Sequence, residues 1–291
     1  MSHTRLLVLQ ALSPVHCGTG HAVSGIDLPI AREKPTGVPI VPGSSLKGVL
    51  RAAGSDDDDK HLAVFGPVTK NASEYGGSVQ FGDVTLAFLP MRSLRGTFAY
   101  VTSPYLLRRL MRSLTEAGLA KVPAVPGGPK PEEALVTGTV LTGGNSAKVV
   151  FEDFDFTPQI KAEWKTFAEF FAKHLPGGEG EFFVDRACVV HDDVMGVLLQ
   201  TATEVTQRIK LDPNTKTVED GALWSEEALP VETLLVGLVA ATPVTRPRGP
   251  AVTVDSLYAH LDTLVSQGVI QVGGNATVGR GMCRIKLVKG A

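Results

Sequence analysis

Asp27 is a lone carboxylate among apolar residues in the stretch Gly25-Ile-Asp-Leu-Pro-Ile-Ala-Arg32. In that setting it can hold a divalent ion or act as a general base, and as an ordinary loop residue it can cap a turn. His16, in His16-Cys-Gly-Thr-Gly20, could shuttle a proton because imidazole changes charge near neutral pH. A structural histidine satisfied by hydrogen bonds is the plainer reading of that residue. Cys17 does not pair with His16 as nucleophile and base, since adjacent side chains point apart.

A second chemistry belongs to Gly37-Val-Pro-Ile-Val-Pro-Gly-Ser-Ser-Leu-Lys-Gly-Val-Leu-Arg51. Pro39 and Pro42 keep the approach extended, Gly43 permits a sharp turn, and Ser44 or Ser45 can cap a helix. Lys47 and Arg51 are four apart, hence on one helical face. Free amides, hydroxyls and two cations then meet at one helix start, which suits a phosphate. An ordinary capped helix with solvated cations fits the segment too. It is not a Walker loop, because Lys47 precedes glycine instead of Ser or Thr.

Gly273-Gly-Asn-Ala-Thr-Val-Gly-Arg-Gly281 lets backbone approach a ligand closely, with Arg280 as a nearby cation. Its glycine spacing is wrong for a dinucleotide fingerprint. A glycine-rich hairpin is the structural alternative, yet two such loops in one chain favour phosphate-backbone contact. Other charged runs read as structure. Asp56-Asp-Asp-Asp-Lys60 is expected in a solvated loop, and His191-Asp192-Asp193 as the cap of a helix over 194–200.

These residues need a frame. Alternation and apolar runs predict strands over residues 4–11, 79–88, 98–102, 149–154, 234–241 and 282–288. Helices are expected from 103–104, over 160–174 and over 254–267, with Trp164, Phe167, Phe170 and Phe171 as core. Residues 13–42 read as a long Gly/Pro-rich loop and 121–131 as an exposed connector. The order predicts an α+β or α/β domain. At 291 residues, 43% hydrophobic and 20% charged, the chain suits one large globular domain without a membrane span, cytoplasmic by default. Cys17, Cys188 and Cys283 have no paired spacing, so neither disulfides nor a cysteine zinc site is expected. A net charge of −2 requires any nucleic-acid surface to be segregated to one face.

The chain resembles the RAMP-superfamily backbone subunits of the Cmr complex, the type III-B CRISPR effector. The likeness rests on Gly25-Ile-Asp-Leu-Pro-Ile30, on Pro39 through Arg51, and on Phe65-Gly66 and Phe81-Gly-Asp-Val-Thr85. It continues through Pro90-Met-Arg-Ser-Leu94, Val101-Thr-Ser-Pro104, Gly221-Ala-Leu-Trp224 with Glu227 and Pro230, and Gly273-Gly-Asn275 to Gly281. The resemblance implies one RAMP domain over 1–291, a ferredoxin-like, RRM-related palm with inserted fingers, and a thumb hairpin at roughly 200–232. It implies copies stacked head to tail in a filament on guide CRISPR RNA, with other Cmr subunits and complementary target RNA as partners and no membrane.

By the same resemblance, Arg32, Ser44, Ser45, Lys47, Arg51, Gly273, Gly274, Asn275 and Arg280 contact guide RNA. Asp27 is the implied catalytic residue of a metal-dependent endoribonuclease, binding Mg²⁺ or Mn²⁺ or taking the proton of the target 2′-OH. His16 and Glu227 are secondary catalytic candidates. The alternative within the family is a guide-RNA-binding scaffold that does not cut. A nucleotide-binding metabolic enzyme using the glycine loops is a third reading.

Overall fold

Leu6, Leu7, Val8 and Leu9 are all fully buried, so the first strand has no solvent face. That is the pattern of a strand covered on both sides. The computed structural model describes residues 3–20, 25–68, 73–142, 148–245 and 251–290. Its elements begin with β1 (Thr4–Ala11), β2 (Ile40–Val41), α1 (Gly43–Ala52), α2 (Asp59–Phe65), β3 (Val79–Phe81), β4 (Val84–Arg92) and β5 (Phe98–Thr102). Next come α3 (Pro104–Glu116), β6 (Glu133–Val136), β7 (Val149–Phe151), β8 (Phe154–Ile160), α4 (Ala162–Ala172), α5 (Gly180–Arg186), β9 (Ala187–Val189) and α6 (Asp192–Thr201). The chain closes with β10 (Glu204–Leu211), β11 (Val218–Ala228), β12 (Leu234–Ala241), α7 (Val254–Ser266), β13 (Ile270–Gln271) and β14 (Met282–Val288).

The protein is α+β. Among the described residues a twelve-stranded sheet runs β13-β14-β1-β12-β4-β5-β9-β6-β8-β7, with β2 on β4 and β3 on β12. Most pairs are antiparallel; β5–β9 and β6–β8 are parallel. Because strand side chains alternate, Leu7, Leu9 and Ala11 of β1 pack with α1 and α7, while Leu6 and Val8 pack with α3 and α4. Trp164, Phe167 and Phe171 lie in that second core, as their helical spacing suggested. A third core, with Val101, Val136, Met195 and Leu198, underlies α6. β10 and β11 form a separate two-stranded sheet.

Several expected boundaries move. The strand expected over 79–88 is broken at Gly82-Asp83, where Gly82 N–H bonds the Leu238 carbonyl and the Asp83 carboxylate accepts from Gly43 N–H at 2.8 Å. Ile160 ends β8 instead of starting a helix. Val122 and Val125 pack against the second core, so 121–131 is more than an exposed connector. Within the acidic run, Asp58 caps α2 by accepting from Lys60 N–H, so the run organises a helix start. His191 caps α6, as expected, with Asp192 and Asp193 in its first turn. The three cysteines are free and buried. No helix among the described residues is long and apolar enough to cross a membrane.

Candidate functional site

Asp27 is held by β11. Leu28 pairs with Glu226 as an isolated parallel bridge: Leu28 N–H donates to the Ser225 carbonyl and Glu227 N–H to the Leu28 carbonyl, each at 3.0 Å. The Ser225 hydroxyl accepts from Asp27 N–H at 3.0 Å and donates to Asp27 Oδ2 at 2.8 Å. Ser225 N–H donates to the same oxygen at 2.7 Å. The Ser225 amide, followed by its hydroxyl, holds the Asp27 carboxyl below the usual aspartate value. Asp27 is exposed, so its site presents an ionised carboxylate to solvent.

Glu227 is the opposite case, a buried carboxylate whose two oxygens are both engaged. Oε2 accepts from Ile30 N–H at 3.0 Å; Oε1 accepts from Arg32 at 2.5 Å and from the Thr203 hydroxyl at 2.8 Å. Arg32 also donates to the Gly37 carbonyl at 2.9 Å. The next residue, Glu33, takes both terminal nitrogens of Arg109 on α3 at 2.6 Å each. The Arg109 guanidinium keeps the Glu33 carboxyl below the ordinary glutamate value.

His16 Nδ1 lies 2.6 Å from the Glu227 carbonyl oxygen. A carbonyl only accepts, so Nδ1 carries the proton and a neutral ring has its lone pair on Nε2. A side chain at Gly18 would crowd Nε2. The glycine-rich loop packs against the same segment: Gly274 N–H donates to the His16 carbonyl and Gly281 N–H to the Pro14 carbonyl, both at 2.8 Å. Gly273 has φ +89°, and a Cβ there would fall on the His16 carbonyl. Gly274 and Asn275 are exposed on the outer side of this loop.

Arg280 does not project from that loop. Its guanidinium reaches Glu204 and Thr206 of β10 at 3.3 Å and stands 3.8 Å from Glu226 Oε1. Arg208 approaches the other Glu226 oxygen at 3.5 Å. Glu226 Oε1 is buried without a hydrogen bond, balanced by the two guanidinium charges.

At α1, the expected serine cap is corrected. Pro42 is the N-cap and makes no side-chain cap bond, while Asp83 takes the first amide, that of Gly43. The Ser44 and Ser45 amides follow it, ahead of the first intrahelical bond from Leu46 N–H to the Pro42 carbonyl. Asp83 already places one negative charge at this helix start. Arg51 is drawn to Asp56 at 3.1 Å and to the Pro67 carbonyl at 3.0 Å. Lys47 has no ion pair among the described residues, unlike Arg32, Arg51 and Arg280. The structure thus gathers Asp27, His16, Glu227, Arg32 and the glycine-rich loop around β11.

The RAMP superfamily model matches residues 8–284. The chain belongs to the RAMP superfamily. It is 34% identical over 296 aligned residues to the CRISPR system Cmr endoribonuclease Cmr4 of Pyrococcus furiosus, covering 97% of this chain and 95% of that protein. It is 23% identical to the CRISPR system CMR subunit Cmr4 of Saccharolobus solfataricus, covering 96% and 94%. The crystal structure of oligomeric Cmr4 from Pyrococcus furiosus superposes with a TM-score of 0.74 at 28% identity, covering 99% and 98% of the two chains. A chain of the type III-B Cmr-beta complex bound to cognate target RNA shares the fold at a TM-score of 0.74 and 19% identity, covering 98% and 96%.

In this RAMP chain, sequence reading missed Ser225, Glu226 and Thr203. The signal was a strand-like stretch carrying Ser225-Glu-Glu227, three polar neighbours that must face alternate sides. It also treated Arg32 and Arg280 as free cations, whereas both close ion pairs inside the protein. Among the described residues no group of three or more His, Cys, Asp or Glu side chains could hold a metal. Asp27 is the exposed carboxylate of this site, and a single carboxylate supplies only part of the oxygen shell of a hard divalent cation.

Proposed function

We propose that this RAMP protein is a guide-RNA-binding backbone subunit of a type III-B CRISPR complex and that, once assembled, it cuts complementary target RNA. Its large sheet is read as the family's ferredoxin-like palm and β10–β11 as the thumb. The observation that carries the reading is Asp27, an exposed ionised carboxylate held by Ser225. Identity of 34% to an endoribonuclease across 97% of the chain supports it. Guide CRISPR RNA, target RNA, further copies in a head-to-tail filament and other Cmr subunits are its partners.

The grip on guide RNA is assigned to groups that the protein leaves open. Lys47, the Ser44 and Ser45 amides, and the exposed Asn275 suit phosphates of any sequence, whereas the Gly274 amide is already given to the His16 carbonyl. Arg32, Arg51 and Arg280 brace the surrounding loops, and their phosphate role is secondary in this reading.

The cut uses the RNA's own 2′-OH. Its oxygen attacks the adjacent phosphorus as the hydroxyl proton passes to a base, the P–O5′ bond breaks, and the leaving O5′ takes a proton from water, so that a 2′,3′-cyclic phosphate and a 5′-hydroxyl remain. In this proposal Asp27 fixes the nucleotide for in-line attack and takes the 2′-OH proton. Mg²⁺ or Mn²⁺ held by Asp27 would offset charge on the phosphate. Glu227 and His16 hold the site together, since the Glu227 oxygens and His16 Nδ1 already have partners.

Target cleavage by the guide-loaded complex tests this. Asp27→Ala should abolish cutting while target RNA still binds, and a 2′-deoxy residue at the cut position should block it. Undiminished cutting by Asp27→Ala would leave only the scaffold reading.

A further inference from the structure

Asp27 lies in a stretch with little regular structure of its own; Gly25, two residues earlier, has φ +85°. Its geometry is therefore imposed from β11, and one side chain does most of the imposing. The Ser225 hydroxyl makes two opposed bonds to one residue, accepting from the Asp27 amide and donating to Oδ2. A hydroxyl can do both because it has one proton and two lone pairs. The first bond fixes the backbone from which the carboxylate springs and the second fixes its rotation. The Ser225 amide adds a further bond to the same Oδ2, so both bonds from Ser225 to the carboxylate fall on one oxygen, and no other described residue donates to Oδ1. Ser225 itself is only 6% exposed, which keeps it from touching RNA.

We propose that Ser225 is the positioning residue of the cut, acting through Asp27 by clamping its amide and its carboxylate with a single hydroxyl. The proposal rests on Asp27 being the nuclease carboxylate. Alanine at 225 removes both side-chain bonds and keeps the amide bond to Oδ2, so the Asp27 amide is released and its carboxylate is held by one donor instead of two. Threonine keeps the hydroxyl. Because positioning acts on the chemical step, the loss belongs in the rate at saturation and not in target affinity.

The test uses the full chain in reconstituted guide-loaded complex and compares wild type, Ser225→Ala, Ser225→Thr and Asp27→Ala. Single-turnover cleavage at saturating target and target Kd are measured separately. Ser225→Ala is expected to cut about tenfold to a hundredfold more slowly with unchanged Kd and assembly, and Ser225→Thr to restore most of the rate. Wild-type cutting by Ser225→Ala beside an inactive Asp27→Ala would overturn the clamp and leave the nuclease reading standing. A slow Ser225→Ala with weakened Kd or assembly, or one that Ser225→Thr fails to restore, would make the residue structural and also overturn the proposal. Full activity of Asp27→Ala would instead overturn the nuclease reading beneath it.

Discussion

Arg32 and Glu227 meet at 2.5 Å, joining the end of the Asp27 loop to β11 across 195 positions of sequence. The Glu227 side chain is 4% exposed and that of Arg32 23%, so the pair is shielded from solvent on the carboxylate side. The same carboxylate takes the Ile30 amide and the Thr203 hydroxyl. One side chain therefore fixes the loop on the far side of Asp27 from the Ser225 contact.

Glu227→Ala should destabilise the fold by about 3 kcal/mol, because it strands a guanidinium, an amide and a hydroxyl together. Glu227→Gln retains the shape and should lose less. Urea unfolding of the purified chain checks the order, and an alanine variant as stable as wild type would remove Glu227 from its bracing role.

Lys47→Ala should weaken binding of unrelated guide sequences about equally and flatten the salt dependence by about one phosphate. Arg51→Ala should change the slope less, since Asp56 already neutralises Arg51. Guide-RNA titrations over a range of salt concentrations measure both. A sequence-selective loss for Lys47→Ala would rule out a phosphate contact.

The Glu33–Arg109 pair gives a pH dependence with a defined sign. The folded-state carboxyl titrates below its ordinary value, so its stabilisation is complete above the unfolded glutamate pKa. It is lost as pH falls through the lower folded value. Glu33→Gln should therefore cost about 1 kcal/mol at neutral pH, and the gap from wild type should close in acid. Unfolding free energies across pH 3–7 for the two proteins show this; a gap that widens in acid would reverse the assignment.

Gly273→Ala should cost about 2 kcal/mol or more, because φ +89° is strained for alanine and the new methyl meets the His16 carbonyl. Gly279→Ala, at φ +79° in open space, should cost about 1 kcal/mol. Comparing their unfolding midpoints separates backbone strain from the close approach. Equal losses would show that the contact with His16 contributes nothing.

Local rules made much of this frame legible. Apolar patterning marked β1 and β14, a continuous apolar run marked β12, and the serine-proline pair before Tyr105 marked the start of α3, where Ser103 does cap the helix. Asp27 was legible as a carboxylate, but its partner was not, because Ser225 lies 198 residues away and pairing distance leaves no local trace. The serine cap failed for a similar reason: Asp83, distant in sequence, reaches Gly43 first. Charge type showed where arginines were, and only tertiary packing showed that Arg280 turns inward to Glu204.

The alternation of Ser225, Glu226 and Glu227 along β11 also limits how this hairpin can change length. Ser225 and Glu227 face the Asp27 loop, while Glu226 turns to Arg280 on the other side. Inserting or deleting one residue at the hairpin base would exchange these faces and break every tie at once. The register shift between Ile209 and Leu211 separates this base from the tip, where Leu211 pairs with Val218. The tip can therefore lengthen or shorten without disturbing these ties, while the base keeps the phase that holds Asp27.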